Sequence, residues 1–152
     1  MKLYLFKRPH GLPNLSPFCV KLETYLRMAR IDYEPVFGFD SSKNQKKQMP
    51  FVDIDSEIIG DSTLIIDRLV KQFGDKVDYR LSITEIALSQ AFQTMLENHF
   101  TKFIVWYRWV DKSGFAQFKD QAFTSVPSLV KKFIAPVVAR KIGKGLYNEG
   151  TG

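Results

Sequence analysis

The chain has 152 residues, 45% of them hydrophobic and 14% aromatic, which suits one domain or two small ones with a packed core and excludes a disordered polymer. A single cysteine excludes an internal disulfide framework and fits a reducing compartment, and the apolar run within residues 1–8 is too short for a signal peptide. The net charge of +6 gathers late, at Lys131, Lys132, Arg140, Lys141 and Lys144, but Phe133, Ile134, Val137 and Val138 between them read as a helix's buried face, so no nucleic-acid groove is expected. No stretch approaches the ~18 apolar residues of a membrane span. The expectation is a soluble, cytoplasmic protein.

Leu3-Tyr4-Leu5-Phe6 is apolar on both faces, as a central strand covered from both sides should be. The loop Arg8–Leu15 follows, with two prolines and a glycine. Ser16 and Pro17 start a helix as N-cap and first residue. Its apolar stripe is Phe18, Leu22, Tyr25, Leu26 and Ala29; Lys21, Glu23, Arg27 and Arg30 lie elsewhere, Glu23 and Arg27 forming an i,i+4 pair. Tyr33–Phe37 is a short strand that Pro35 assigns to an edge. Asp40–Lys47 is a loop or a short irregular helix.

Phe51–Ile54 and Glu57–Ile59 are joined too tightly for a crossover, hence an antiparallel hairpin. Asp61-Ser62 opens a further helix with Ile65, Ile66, Leu69, Val70 and Phe73 on one face and Gly74 as its stop. The order βαβ-ββα describes a four-stranded mixed sheet with helices, an α/β thioredoxin-like domain over residues 1–75. Residues 76–81 form a linker and residues 82–152 part of an all-helical domain. There, 82–110 reads as one long helix, 126–142 as a second helical stretch kinked at Pro136, and 147–152 as turn-rich.

Ser16-Pro17-Phe18-Cys19 reads as the dithiol motif Cys-Pro-aromatic-Cys with its first sulfur replaced by a hydroxyl. A hydroxyl cannot carry disulfide exchange. It can cap the helix, or it can hold another molecule's thiol. A free thiol has a pKa of about 8.5, and a hydroxyl donor beside the positive end of a helix lowers it by stabilising the anion. Both readings of Ser16 stay open. Cys19 stands where a dithiol protein keeps its resolving sulfur; without the first cysteine it reads as a small buried apolar residue, with a redox role as the alternative. His10 and His99 have no ligand-like spacing to Cys19, so no metal is expected. The free N–H groups at Asp61-Ser62 make an anion site, though both residues are also common caps. His99, Phe103, Trp106, Tyr107 and Trp109 are core between helices or the wall of a pocket, with His99 and Tyr107 as its candidates.

The run Pro13–Met28, together with Met49-Pro50-Phe51-Val52 and Asp61–Ile66, resembles the glutathione S-transferase superfamily, and more narrowly its metaxin and failed-axon-connections branch. Glu97-Asn98-His99 and Arg108-Trp109 are similar to it more loosely. The resemblance implies that Ser16 occupies the activator position and stabilises the glutathione thiolate. It implies a cis bond before Pro50, backbone pairing of Met49 with the cysteinyl unit in the manner of an added strand, and Gln48 and Phe18 at the same site. It implies that Asp61 and Ser62 hold the γ-glutamyl group; the family residue is often glutamate, so Asp61 shortens the reach by one methylene. Lys46 and Lys47 could attract glutathione's carboxylates or be simply solvated. Glutathione as co-substrate, a small hydrophobic electrophile and a homodimer of the full-length protein follow from the same resemblance. So does the alternative, a non-catalytic protein-interaction module of the metaxin kind. A complete member carries a larger helical domain than residues 82–152 supply, which implies a C-terminal truncation or a fragment.

Overall fold

Alternate leucines build the first strand. In the computed structural model, which describes residues 1–9, 11–38, 44, 48–124 and 126–151, strand β1 (Lys2–Leu5) buries Leu3 and Leu5 completely. Tyr4 stacks on Phe51 of the neighbouring strand, ring centroids 4.2 Å apart. Phe6 lies just past the strand's end rather than within it.

Helix α1 (Pro17–Met28) starts as its cap and proline dictate. It ends with Arg30 at φ 52°, while Arg30 N–H reaches the Arg27 carbonyl and Ile31 N–H the Leu26 carbonyl, a Schellman closure without its usual glycine. Strand β2 (Glu34–Phe37) pairs parallel to β1 with Pro35 opposite Leu3, and its edge position tolerates the missing proline N–H. Strands β3 (Phe51–Ile54) and β4 (Glu57–Gly60) form the antiparallel hairpin. Asp55 and Ser56, at φ 51° and 70°, supply the two left-handed residues of its tight turn. The sheet order is β2-β1-β3-β4, with β1 parallel to β2 and antiparallel to β3. Helix α2 (Ser62–Phe73) stops at Gly74, φ 76°.

Leu22 and Leu26 of α1, Ile65 and Leu69 of α2, and Leu3, Leu5, Phe51 and Val52 of the sheet make one core. Each such side chain contributes roughly 1.5–3 kcal/mol by leaving water. Glu23 departs from its expected place on the polar side: it is buried, because Arg8 and Tyr33 converge on its carboxylate. Of the segment 39–47 only Asn44 is described; Lys46 and Lys47 lie outside the described residues, as does His10.

The chain divides into two compact units, Met1–Ser82 and Ile83–Gly152. The second comprises α3 (Ile83–Met95), a π-helical turn (Leu96–Phe100), α4 (Thr101–Trp109), α5 (Lys112–Ala122) and α6 (Ser128–Asn148). The expected single helix from 82 to 110 is therefore widened by one turn, where the Thr101 N–H and hydroxyl both reach the Leu96 carbonyl. Helix α5 was not foreseen from its polar, glycine-containing sequence. Asp111 caps it, and Phe115, Phe118 and Phe123 gather round Trp109 with centroids 5.2–6.2 Å away. Gly114 lets it press on α4, since a Cβ there would stand 2.1 Å from the Tyr107 carbonyl oxygen. Helix α6 runs through Pro136 to Asn148, beyond the expected end and into the stretch read as turn-rich. Helix α3 buries none of its residues, and Phe133 of α6 is 74% exposed. No helix among the described residues is long and apolar enough to cross a membrane.

Candidate functional site

Strand register brings three chain corners to one end of the sheet. Tyr4 lies opposite Phe51, so the end of β1 adjoins Met49 and Pro50. Phe51 lies opposite Gly60, so the same end holds Asp61 and Ser62. The loop leaving β1 leads to Ser16. Across the helices, Lys21 Nζ of α1 donates to Thr63 Oγ1 in the first turn of α2 at 2.9 Å.

At the first corner Ser16 is half-buried and caps α1, its Oγ accepting from Cys19 N–H at 3.4 Å. The oxygen is the acceptor in that bond, and the hydroxyl also hydrogen-bonds the Cys19 side chain. Phe18 is half-buried; Cys19 is fully buried. Burial pushes the Cys19 thiol above its ordinary range, against weaker hydrogen bonds from the Phe6 backbone and the Ser16 side chain. A thiol held protonated in this way is a poor nucleophile.

At the second corner the Met49–Pro50 peptide bond is cis, and both residues are buried. The Met49 backbone has no hydrogen-bond partner among the described residues, although main-chain groups at a residue only 9% exposed ordinarily find one. Gln48 beside it is exposed. Asn44, 3% exposed, donates from Nδ2 to the Gln48 carbonyl at 2.9 Å. The same amide lies against Gly60, where a Cβ would come within 2.5–2.8 Å of it. One buried side chain thus spans the residue before Met49 and the residue before Asp61.

At the third corner Asp61 takes φ 80° and ψ 120°, a region that residues with a Cβ seldom enter. Strained backbone of this kind collects at functional sites. Its carboxylate caps α2 by accepting from Thr63 N–H at 2.9 Å. Ser62 is 3% exposed, and its hydroxyl has no hydrogen-bond partner among the described residues. The positive end of the helix dipole favours an anion there.

In the second unit His99 lines a cleft of about 420 Å³ with Lys102, Phe103, Trp106 and Thr151. Lys102 pairs with Glu149 at 3.0 Å beside it. Tyr107 does not line this cleft; its side chain is exposed and its main chain packs on Gly114.

A profile of the glutathione S-transferase N-terminal domain matches residues 17–114. The chain belongs to the glutathione S-transferase family. It is 38% identical over 106 residues to Failed axon connections of Drosophila melanogaster, a match covering 70% of this chain and 25% of that protein. It is 34% identical over 109 residues to isoprene-epoxide–glutathione S-transferase of Rhodococcus sp. (strain AD45), covering 68% of this chain and 46% of that one. The chain therefore spans about a quarter and just under half the length of these curated relatives. Among solved structures, glutathione S-transferase III in apo form superposes with a TM-score of 0.52 at 18% identity, covering 80% of this chain and 64% of that one, a likeness of fold.

Within this glutathione S-transferase frame, motif reading missed the buried polar residues behind the corners. Asn14 and Asn44 sit in stretches whose composition says only loop, yet both are almost wholly buried. An isolated asparagine gives no periodic signal, and its burial depends on register set elsewhere. Glu23 was hidden differently, since its spacing to Arg27 fits an exposed helical pair; the two are 3.9 Å apart, with Arg8 and Tyr33 the closer partners.

Proposed function

We propose that this chain binds glutathione at the end of the sheet where Ser16, Met49 and Ser62 converge, and that the Ser16 hydroxyl donates a hydrogen bond to the glutathione thiolate. The observation that carries this reading is the convergence, at one end of the sheet, of the Ser16 hydroxyl, the Met49 backbone and the Ser62 hydroxyl, the last two without a hydrogen-bond partner among the described residues. Met49 pairs with the cysteinyl unit as an added strand, and Asp61 and Ser62 receive the γ-glutamyl carboxylate and amine. Phe18 and Gln48 complete the rim. Ser16 lowers the thiol pKa so that a larger fraction ionises at neutral pH, and the sulfur attacks an electrophilic carbon held beside it. The name of the Rhodococcus relative, which joins an epoxide to glutathione, favours an electrophile of that reactivity. The cleft at His99 takes a small hydrophobic molecule, and two copies of the protein associate.

The identity to Failed axon connections favours a second reading, in which the fold serves as an interaction module and Ser16 only caps its helix. Retention on immobilised glutathione and a conjugation assay with a chlorodinitrobenzene-type substrate separate the two. Retention with turnover that Ser16→Ala removes supports the enzyme; no retention contradicts it. Glutathione-dependent exchange at Cys19 would instead require Cys19→Ala to abolish turnover, and the thiol's burial weighs against it.

A further inference from the structure

Ser16 is held from behind by a residue that takes no part in the chemistry. Asn14 is 5% exposed, so its amide must find partners inside the protein. It donates from Nδ2 to the Phe6 carbonyl at 2.9 Å and accepts from the Ser16 N–H at 3.1 Å through Oδ1. Phe6 stands immediately after β1, whose register against β3 sets where Met49 lies. One side chain therefore clamps the backbone of the serine to the end of the strand beside which the other two corners stand.

We propose that Asn14 is the positioning residue for Ser16. It fixes the serine backbone against Phe6, so that the hydroxyl hydrogen faces the thiol-binding corner. The inference rests on the thiolate role assigned to Ser16 above.

The physical reason is the shape of the loop. Between β1 and α1, Gly11 takes φ 77°, and Leu12 N–H bonding to the Pro9 carbonyl at 3.4 Å is a weak internal tie. Helix α1 fixes Cys19, but an N-cap residue lies outside the helical hydrogen-bond ladder and owes its orientation to what precedes it. The Asn14 to Ser16 bond is an Asx turn that sets that orientation. The Asn14 to Phe6 bond anchors the turn to the sheet. Without them, Ser16 still caps α1, while its hydrogen samples directions away from the bound sulfur.

The test is made on the full chain with Asn14→Ala, Asn14→Asp, Ser16→Ala and the double variant Asn14→Ala/Ser16→Ala. Amide exchange followed by NMR reads the positioning without any ligand. Ultraviolet titration of glutathione bound to each protein reads the thiol pKa. In N14A the Ser16 N–H should exchange about tenfold faster, the size of one lost hydrogen bond, while the amides of Leu3 and Leu5 keep their rates. The bound thiol pKa should rise in N14A and in S16A, and the double variant should match S16A alone, because Asn14 acts through the hydroxyl. N14D keeps the acceptor for Ser16 N–H and loses only the donor to Phe6; it should restore most of the Ser16 protection, and it serves if N14A fails to fold. Unchanged Ser16 exchange in N14A, or a thiol pKa that N14A raises equally in the S16A background, would overturn the positioning. Equal thiol pKa in wild type and S16A would instead overturn the thiolate role of Ser16, whatever the exchange rates show, and with it the consequence for Asn14.

Discussion

Tyr33 donates its hydroxyl to Glu23 Oε1 at 2.8 Å, and Arg8 pairs with the same oxygen, so the one buried carboxylate of α1 joins the loop after β1 to the residue before β2. Removing one partner of a buried charge costs more than the pair is worth, because the remaining group is left unpaired. Glu23→Ala should lower stability in urea unfolding by about 3 kcal/mol, and Tyr33→Phe by about 1 kcal/mol. Losses below about 0.5 kcal/mol for both would mean that the cluster behaves as a solvated surface pair.

Cys19 should resist modification. Its thiol is held above its ordinary range by burial, so it stays protonated at neutral pH, and iodoacetamide should label it only as fast as the protein opens. The sign of the linkage follows from the raised folded value. The contribution to stability is complete below the unfolded thiol's pKa of about 8.5 and is lost as pH rises above it through the folded pKa. Wild-type stability should therefore fall more steeply above that pH than the stability of Cys19→Ala. Rapid labelling of the native protein at pH 7 would contradict this.

Gly60 and Asn44 should be coupled. A Cβ at residue 60 would collide with the Asn44 amide, which would then release the Gln48 carbonyl. Gly60→Ala should cost about 1–3 kcal/mol and weaken retention on glutathione. Adding Asn44→Ala should relieve part of the cost, and the double-variant cycle reads the interaction directly. Strict additivity would show that the two sites do not meet.

Gly114→Ala should destabilise the second unit by about 3 kcal/mol, because the new methyl would face the Tyr107 carbonyl, a main-chain atom in α4 that cannot swing aside. Thermal melts followed by Trp109 fluorescence would register it, since that ring sits among Phe115, Phe118 and Phe123.

What could be read from the chain in advance depended on how local the cause was. Ser16-Pro17 and Asp61 announced their helices because capping is settled within four residues. Pro35 announced an edge because a missing N–H has one consequence wherever it occurs. The hairpin was legible from its spacing, although Asp55-Ser56 lacks the glycine that usually marks such a turn. Helix α5 was not legible, because Gly114 argues against a helix until the contact it permits is known. The π-helical turn depends on where Thr101 finds its acceptor, and the burial of Asn14, Glu23 and Asn44 depends on partners far along the chain. The capped helix starts at Ser16 and Asp61 could be named in advance; the buried side chains behind them could not.

The thiol pKa of bound glutathione reads the role of the Ser16 hydroxyl without an intermediary. Ultraviolet titration of the thiolate on wild type and on Ser16→Ala isolates that one donor, since alanine leaves Met49, Asp61 and Ser62 untouched. The bound pKa should lie below the free value of about 8.5 in wild type and rise by roughly one unit or more when the hydroxyl is removed. Glutathione that binds both proteins with the same thiol pKa would contradict it and leave Ser16 as the N-cap of a helix and nothing more.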